Sequence, residues 1–382
     1  MNKLSLDNPF VPAILMLFIG LLGFVLIQIE TNSLNSFSIL FLILSSALLI
    51  FYFKLSAIID NGRTWNIKSI NTPFALVLII TKVYFIFLLI SSGGSETFEG
   101  RLDVYGNSFL FGINYAFGLF LFPIIPLTAK SIFLRHFSFY VFIFSFVVNL
   151  LLAPSKSIFI GLIFSLLSYR FLKRKMGSNL PVINLFSLRS VVIFLAMLVL
   201  TLLLLYLKSG NNFLDLLLYR IMMNFDNAVF ASQIPDSKTP EHTILFYAFL
   251  PLFKRFNPEL YDLEYFNIPQ WVLSETLGIS RYGRSGFPND NFIVGAILSY
   301  RLFSVVVFIF VIILVYIFVK RLNKRRRISP FDIYLLLSIP TFFASTQEFA
   351  IMFFTSFLTY YFFEFIFLPM PKKRIHKFEN HI

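Results

Sequence analysis

Long apolar runs recur along this chain and are separated by short polar stretches. Runs of about 18–22 residues match the length that an α-helix needs to cross roughly 30 Å of hydrocarbon. The pattern predicts an all-α polytopic membrane protein with about ten transmembrane helices. The predicted spans are 12–29, 37–53, 74–91, 108–128, 137–153, 158–172, 191–207, 292–319, 333–345 and 349–368. Two prolines, Pro123 and Pro126, are expected to kink the inner end of the fourth span.

One long polar stretch interrupts this pattern at residues 209–290. It divides the chain into an N-terminal transmembrane bundle (1–208), a large outer loop (209–290) and C-terminal transmembrane helices with a basic tail (291–382). The loop is not a disordered linker, because parts of it have helical periodicity.

Two segments of the large loop carry that periodicity. Phe213–Ile234 is amphipathic, and Arg220, Asn224 and Asn227 follow at i, i+4 and i+7, which predicts one shared polar face. Thr243–Phe253 is strongly apolar but too short to span, so we expect a flat helix at the membrane interface.

Charge gives the orientation. The chain is 58% hydrophobic and 13% charged, with a net charge of +13. Its Lys and Arg residues concentrate in the loops assigned to the cytoplasm, as the positive-inside rule requires. Both termini are therefore predicted inside and the large loop outside, and the basic charge does not indicate a nucleic-acid partner. The chain has no cysteine, which excludes disulfides and thiolate metal sites; neither a metal site nor a cofactor is predicted.

Five cationic residues outside the membrane are candidates for binding an anionic substrate. Four are arginines, whose planar fork suits phosphate oxygens, and one is a lysine in a tight turn at the mouth of the helices. They are Arg101, Lys156, Arg220, Arg281 and Arg284. The alternative for each is a surface charge beside lipid headgroups.

Two further residues are candidates for catalysis. His242 is the one histidine on the outer side, and it is either a general base or a surface or capping residue. Asp290 precedes the eighth span, where it is either a general base or the N-cap before Phe292.

Lys82, Glu364 and Arg301 are charged residues inside predicted spans, where an unpaired charge is costly. Lys82 and Glu364 have opposite sign and similar predicted depth, so we expect an ion pair between them. Arg301 lies about 15 Å down the eighth helix by helical rise, where it faces a cavity or extends its side chain towards the interface.

The arrangement resembles the O-antigen polymerases (Wzy type) and the related O-antigen ligases of bacterial envelopes. The resemblance is carried by Arg101 before Gly106-Asn107, by the turn Ser155-Lys156-Ser157 and by Arg220 early in the large loop. In the turn, lysine replaces the usual arginine. The ligases carry His-Asn at the end of the loop, whereas this chain has Asp290-Asn291, which favours polymerase over ligase.

The resemblance implies a fold related to the GT-C glycosyltransferases and a location in the bacterial inner membrane. It implies an undecaprenyl-pyrophosphate-linked oligosaccharide as substrate, with a chain-length regulator as a further partner. In the implied reaction, a hydroxyl of one lipid-linked repeat unit attacks the anomeric carbon of another, and undecaprenyl pyrophosphate leaves. Two alternatives stay open: another polyprenyl-phosphate-dependent glycosyltransferase or ligase, and a polysaccharide flippase or transporter.

Overall fold

A computed structural model gives the architecture of the chain. It describes residues 7–31, 34–92, 118, 120–152, 156–177, 226–253, 257, 259–260, 265, 267–278 and 291–366. Over these residues the secondary structure is helical, and no strand forms beyond two isolated bridges. The α-helices are α1 (Phe10–Thr31), α2 (Ser36–Asp60), α3 (Thr72–Ser91), α4 (Ile125–Thr128), α5 (Ile132–Leu152), α6 (Lys156–Lys175), α7 (Asp226–Ala231), α8 (Ile244–Phe253), α9 (Ile268–Leu277), α10 (Phe292–Tyr300), α11 (Ser304–Lys324), α12 (Pro330–Ala344) and α13 (Thr346–Ile366).

The helical membrane class predicted from the apolar runs is confirmed. Five described helical segments are long and apolar enough to cross a membrane, namely Phe10–Thr31, Ser36–Asp60, Thr72–Ser91, Ile132–Asn149 and Phe292–Lys324. The first three match their predicted spans closely, although α2 runs to Asp60 rather than Phe53. Side chains that point away from the bundle are largely apolar and exposed, as expected of helices that face lipid.

The fourth predicted span ends irregularly, as its prolines suggested. The chain is distorted at Phe120–Ile124, where Phe122 adopts extended backbone angles and a cis peptide precedes Pro123. Helix α4 follows directly and ends at Thr128. Phe120 and Phe122 are fully buried, and Phe120 stacks on Tyr334 at 4.6 Å between ring centroids. The break therefore positions two aromatic anchors between α3, α5 and α12.

The inner ends of several helices are tied together by polar contacts. Arg174 at the end of α6 contacts the carboxylates of Asp7 and Asp60 at 3.1 and 2.8 Å. Short parallel bridges join Ile67 to Ile328 and Ile70 to Ala129. These contacts bring the start of α1 and the ends of α2 and α6 to one side of the bundle, in agreement with the assignment of those segments to one face of the membrane.

The eighth predicted span, Phe292–Val319, is not one continuous helix. Phe292 and Phe308 both contact the ring of Phe343, with centroids 5.8 and 6.4 Å away. An unbroken helix would separate residues 292 and 308 by about 24 Å, so the chain must reverse between them. It does so at Arg301, which has φ 51 and ψ −129 and begins a single 3₁₀ turn.

Helix α10 and the start of α11 thus form a hairpin, which we call the outer hairpin (residues 292–308). At its tip, Arg301 contacts Asp236, whose carboxylate accepts a hydrogen bond from Ser36 at the outer end of α2. At its base, Phe292 contacts Phe343, which also contacts Tyr52 of α2, about 24 Å below Ser36 by helical rise. Helix α10 therefore begins part-way along the bundle and ends at the bundle end that is predicted to be outer.

This geometry corrects the predicted depth of Arg301. The side chain does not lie part-way along a continuous helix, because the chain reverses at Arg301 before α11 begins at Ser304. At 21 residues, α11 by itself has the length that a span requires. Arg301 instead lies at the end of the bundle that is predicted to be outer, beside Asp236.

The predicted flat position of residues 243–253 is also wrong. Helix α8 is present, but it packs along α13, and Phe249 contacts Phe354 at 5.5 Å between ring centroids. Phe354 lies eight residues into α13, about 12 Å from its start. Because Tyr247 and Leu250 are buried, α8 is part of the bundle and does not lie on the interface.

The predicted ion pair between Lys82 and Glu364 does not form. Tyr360 and Phe363 of α13 pack on Phe74, which is near the start of α3. Lys82 is buried eight residues further along α3, about 12 Å away. The Glu364 carboxylate lies beside the Tyr360 hydroxyl, so helix register separates the two charges.

Candidate functional site at the outer ends of the helices

The large loop is anchored to the outer ends of α1 and α2 by a buried polar network. Gln28 of α1 donates to Ser232 at 3.1 Å and accepts from Ser38 of α2 at 2.9 Å. Asn35, the N-cap of α2, donates to the backbone carbonyl of Ser232. Because these groups are paired in a low-dielectric environment, they fix the end of α7 on the bundle.

The predicted amphipathic helix over 213–234 is described only at its end. Helix α7 ends at Ala231, and Asn227 is buried in contact with the protein. The shared polar face that the i, i+4, i+7 spacing predicts stays a prediction, because one of its three residues is described. The remainder of the segment, including Arg220 and Asn224, lies outside the described residues.

Arg301 is the centre of a charged cluster at the tip of the outer hairpin. Its guanidinium donates to the backbone carbonyl of Lys238 and lies 3.9 Å from the Asp236 carboxylate. Lys238 in turn pairs with Glu275 of α9. We call Ser36, Asp236, Lys238, Glu275 and Arg301 the outer cluster; it joins α2, the large loop, α9 and the hairpin.

His242 lies beside this cluster. The segment after Lys238 follows the hairpin, because the backbone N–H of Ile244 donates to the Ser299 hydroxyl at 2.9 Å. The imidazole packs against Phe246, with ring centroids 4.2 Å apart and the rings tilted by 36°, and its Nε2 atom is 4.0 Å from the Glu241 carboxylate. His242 is thus held by aromatic packing near the hairpin tip, a position compatible with either a base or a packed side chain.

Asn291, and not Asp290, caps the outer hairpin. The Asn291 side-chain oxygen accepts from the backbone N–H groups of Ile293 and Val294 at 2.8 and 3.4 Å. The capping alternative for Asp290 is therefore wrong, since the next residue performs that function. Asn291 is buried at the base of the hairpin.

The hairpin and α8 approach each other closely. A Cβ atom added to Gly295 would lie 2.2 Å from Cδ1 and 3.0 Å from Cβ of Ile244. Ile244 is fully buried. Glycine at this position therefore lets α8 pack against α10, which seats the loop on the hairpin.

The remaining predicted site residues are not brought together by any described contact. Lys156 is the first residue of α6, and its side chain is outside what the structure describes. Five more predicted residues also lie outside the described ranges: Arg101, Arg220, Arg281, Arg284 and Asp290.

The sequence did not single out the residues that organise this region. Gln28, Asn35 and Asn291 are ordinary amides in a sequence, and they become informative only through their partners. A signal did exist for the hairpin, because Arg301 is the one charged residue in the apolar stretch from Phe292 to Val319. Hydropathy averaged over that stretch conceals it.

The outer cluster has the electrostatic character of a binding surface more than of a metal site. Within the described ranges, no group of three or more His, Asp or Glu side chains is arranged to hold a metal ion. The cluster offers a guanidinium and an ammonium, each beside a carboxylate, and the imidazole of His242 lies next to the cluster. Such a set can bind an anion or transfer a proton.

Comparisons with known proteins do not assign this chain to a family. No protein-family model, no curated protein and no solved structure matches this chain.

Proposed function

We propose that this protein is a polymerase that joins undecaprenyl-pyrophosphate-linked oligosaccharide repeat units into O-antigen or a related surface polysaccharide. The proposed reaction takes place at the periplasmic face of the bacterial inner membrane. A hydroxyl of one unit forms a new glycosidic bond to the anomeric carbon of the other. The bond from that carbon to pyrophosphate breaks, and the hydroxyl proton passes to a base.

The outer hairpin is the observation that carries the proposal. Helix α10 begins at Phe292, with Asn291 as its N-cap, part-way along the bundle and directly after the glycine-rich stretch that contains Arg281, Arg284 and Asp290. The pyrophosphate of a polyprenyl-linked sugar lies near the membrane surface, about 15 Å above Asn291 by the rise of α10, and we propose that the cations of the preceding stretch meet it there. Cations placed there would stabilise the charge that develops on the leaving pyrophosphate.

The proposed roles follow from chemistry and position. Arg101, Lys156, Arg220, Arg281 and Arg284 are the proposed pyrophosphate ligands. Asp290 and His242 are the two candidates for the base that accepts the hydroxyl proton. Asp290 is the favoured candidate for the base, because Asn291 and not Asp290 caps α10. His242 instead packs beside the outer cluster.

A flippase is the second candidate, because a helix that begins within the membrane thickness also characterises transporters. Deletion of the gene followed by gel analysis of surface polysaccharide separates the two. Loss of a polymerase leaves a single repeat unit on the lipid core. Loss of a flippase leaves none, and that result would replace the proposal.

A further inference from the structure

Two lysines converge on one tyrosine at the inner end of the bundle. The ammonium of Lys54 lies 5.4 Å from the centre of the Tyr316 ring, and that of Lys320 lies 5.6 Å from the same centre. The two nitrogens are therefore separated by no more than about twice that distance. Lys54 belongs to α2 and Lys320 to α11, so the pair marks the seam between two packed helices.

Neither lysine is neutralised by the part of the chain that the structure describes. The ion pairs there involve other cations: Arg174 pairs with Asp7 and Asp60, and Arg325 pairs with Asp332. Two positive charges at this separation repel each other, and the tyrosine face offsets only part of that cost. An anion bound between the two ammonium groups would relieve this repulsion.

The depth of the pair corresponds to lipid headgroups. Lys54 lies six residues before the end of α2, and Lys320 lies four residues before the end of α11. These positions are about 9 and 6 Å above the inner helix ends by helical rise. Long lysine side chains at such positions reach the headgroup level of the cytoplasmic leaflet.

Next to the two lysines, towards the middle of the helices, the surface of the bundle is apolar and points away from the bundle. Ile50 and Ile313 are exposed, and they lie one or two helical turns from the lysines on α2 and α11. A free phosphate would gain nothing from these side chains, whereas the acyl chains of a lipid would cover them.

We propose that Lys54, Lys320 and Tyr316 form a binding site for one anionic phospholipid of the cytoplasmic leaflet. The two ammonium groups hold the phosphate, and the acyl chains lie along the seam between α2 and α11. The leaflet supplies such lipids at high local concentration and attracts juxtamembrane cations. The site is on the opposite side of the membrane from the proposed reaction and does not depend on it.

The test measures lipid retained by the purified protein. Wild-type protein and a Lys54→Gln/Lys320→Gln variant are exchanged into detergent with phosphatidylglycerol, and bound lipid is counted by native mass spectrometry. The matched control is Arg326→Gln/Arg327→Gln, which removes two exposed charges from the same membrane face. We expect the lysine variant to retain at most half of the phosphatidylglycerol that wild type retains, and the control to retain it in full.

Three further arms decide the identity of the ligand. A Lys54→Arg/Lys320→Arg variant should retain the lipid, since both charges persist. Phosphatidylcholine should bind no better to wild type than to the lysine variant, and millimolar inorganic phosphate should not displace phosphatidylglycerol. Equal loss from the lysine and arginine-control variants, equal binding of phosphatidylcholine, or displacement by inorganic phosphate would overturn the assignment.

Discussion

At the scale of single residues, Arg301 shows how a polar side chain determines local backbone geometry. Its φ of 51 lies in a region that favours glycine, and a non-glycine residue held there costs about 1–3 kcal/mol. The guanidinium contacts Asp236 and the carbonyl of Lys238 across the hairpin tip. Arginine is present because these contacts offset the backbone cost.

Substitution of Arg301 should separate the two effects. Arg301→Ala removes the contacts and keeps the strained backbone, whereas Arg301→Gly removes the contacts and relieves the strain. We expect Arg301→Ala to be the less stable variant, by about 1 kcal/mol. Melting temperatures of the purified variants in one detergent provide the comparison, and indistinguishable values would show that the turn is unstrained.

Arg220 carries the residue-scale prediction for activity. Arg220→Lys keeps the positive charge but loses the bidentate fork, so most polymer synthesis should be lost. Arg255 lies beside Lys254 at the end of an apolar segment and is predicted to be a headgroup anchor, so Arg255→Lys should be mild. The readout is polysaccharide length on a gel at matched protein level. Long chains from both Arg220→Lys and Arg220→Ala would reduce Arg220 to a surface charge.

At the scale of elements, the apolar runs predicted helix positions well and helix continuity poorly. Spans 12–29 and 74–91 correspond to α1 and α3 because each is one apolar run bounded by polar residues. The run from Phe292 to Val319 is equally apolar, yet its chain reverses at Arg301. The reversal depends on contacts between Arg301 and a loop more than 60 residues away, and local sequence patterns cannot contain such information.

The packing of α8 against α10 gives an element-scale prediction. Gly295→Ala places a methyl group against Ile244, and overpacking of this kind costs about 1–3 kcal/mol. Ile244→Ala removes the atoms that clash, so the double variant should be more stable than the sum of the single effects predicts. Gly118→Ala is the control, since no described atom lies within 4 Å of its added Cβ. Additive losses in melting temperature would mean that α8 and α10 do not touch there.

At the scale of the whole molecule, the charge distribution predicted which helix ends lie on the same side of the membrane, and the contacts between helix ends agree with that grouping. Arg174 contacts Asp7 and Asp60, which holds the start of α1 beside the ends of α2 and α6. Gln28 contacts Ser232, and Ser36 contacts Asp236, which holds the end of α1 and the start of α2 beside the large loop. The number of spans and the GT-C-like arrangement remain predictions, because five described helical segments meet the length and hydropathy needed to span. The predicted anion-binding residues come from loops, where sequence gives no distances between side chains.

The orientation can be checked with two reporter fusions. A reporter inserted near Thr239 should report the outer side, and one at Ile382 should report the cytoplasm. The same signal at both positions would be incompatible with an even number of crossings between the termini and an outer loop between them.

The proposed site depends most on the outer hairpin, which is predicted to bring the end of the large loop into the membrane from outside. Because the chain has no cysteine, a single introduced thiol can report the position of Leu302, whose side chain is 76% exposed at the hairpin tip. The measurement is labelling of Leu302→Cys in spheroplasts with a membrane-impermeant maleimide. Thr239→Cys is the exposed outer control, and Leu314→Cys is the control within the span.

The hairpin predicts that Leu302→Cys is labelled as readily as Thr239→Cys, while Leu314→Cys is protected. A continuous helix would place residue 302 about 15 Å below the outer surface. Protection of Leu302→Cys to the level of Leu314→Cys, with Thr239→Cys still labelled, would contradict the hairpin and the site built on it.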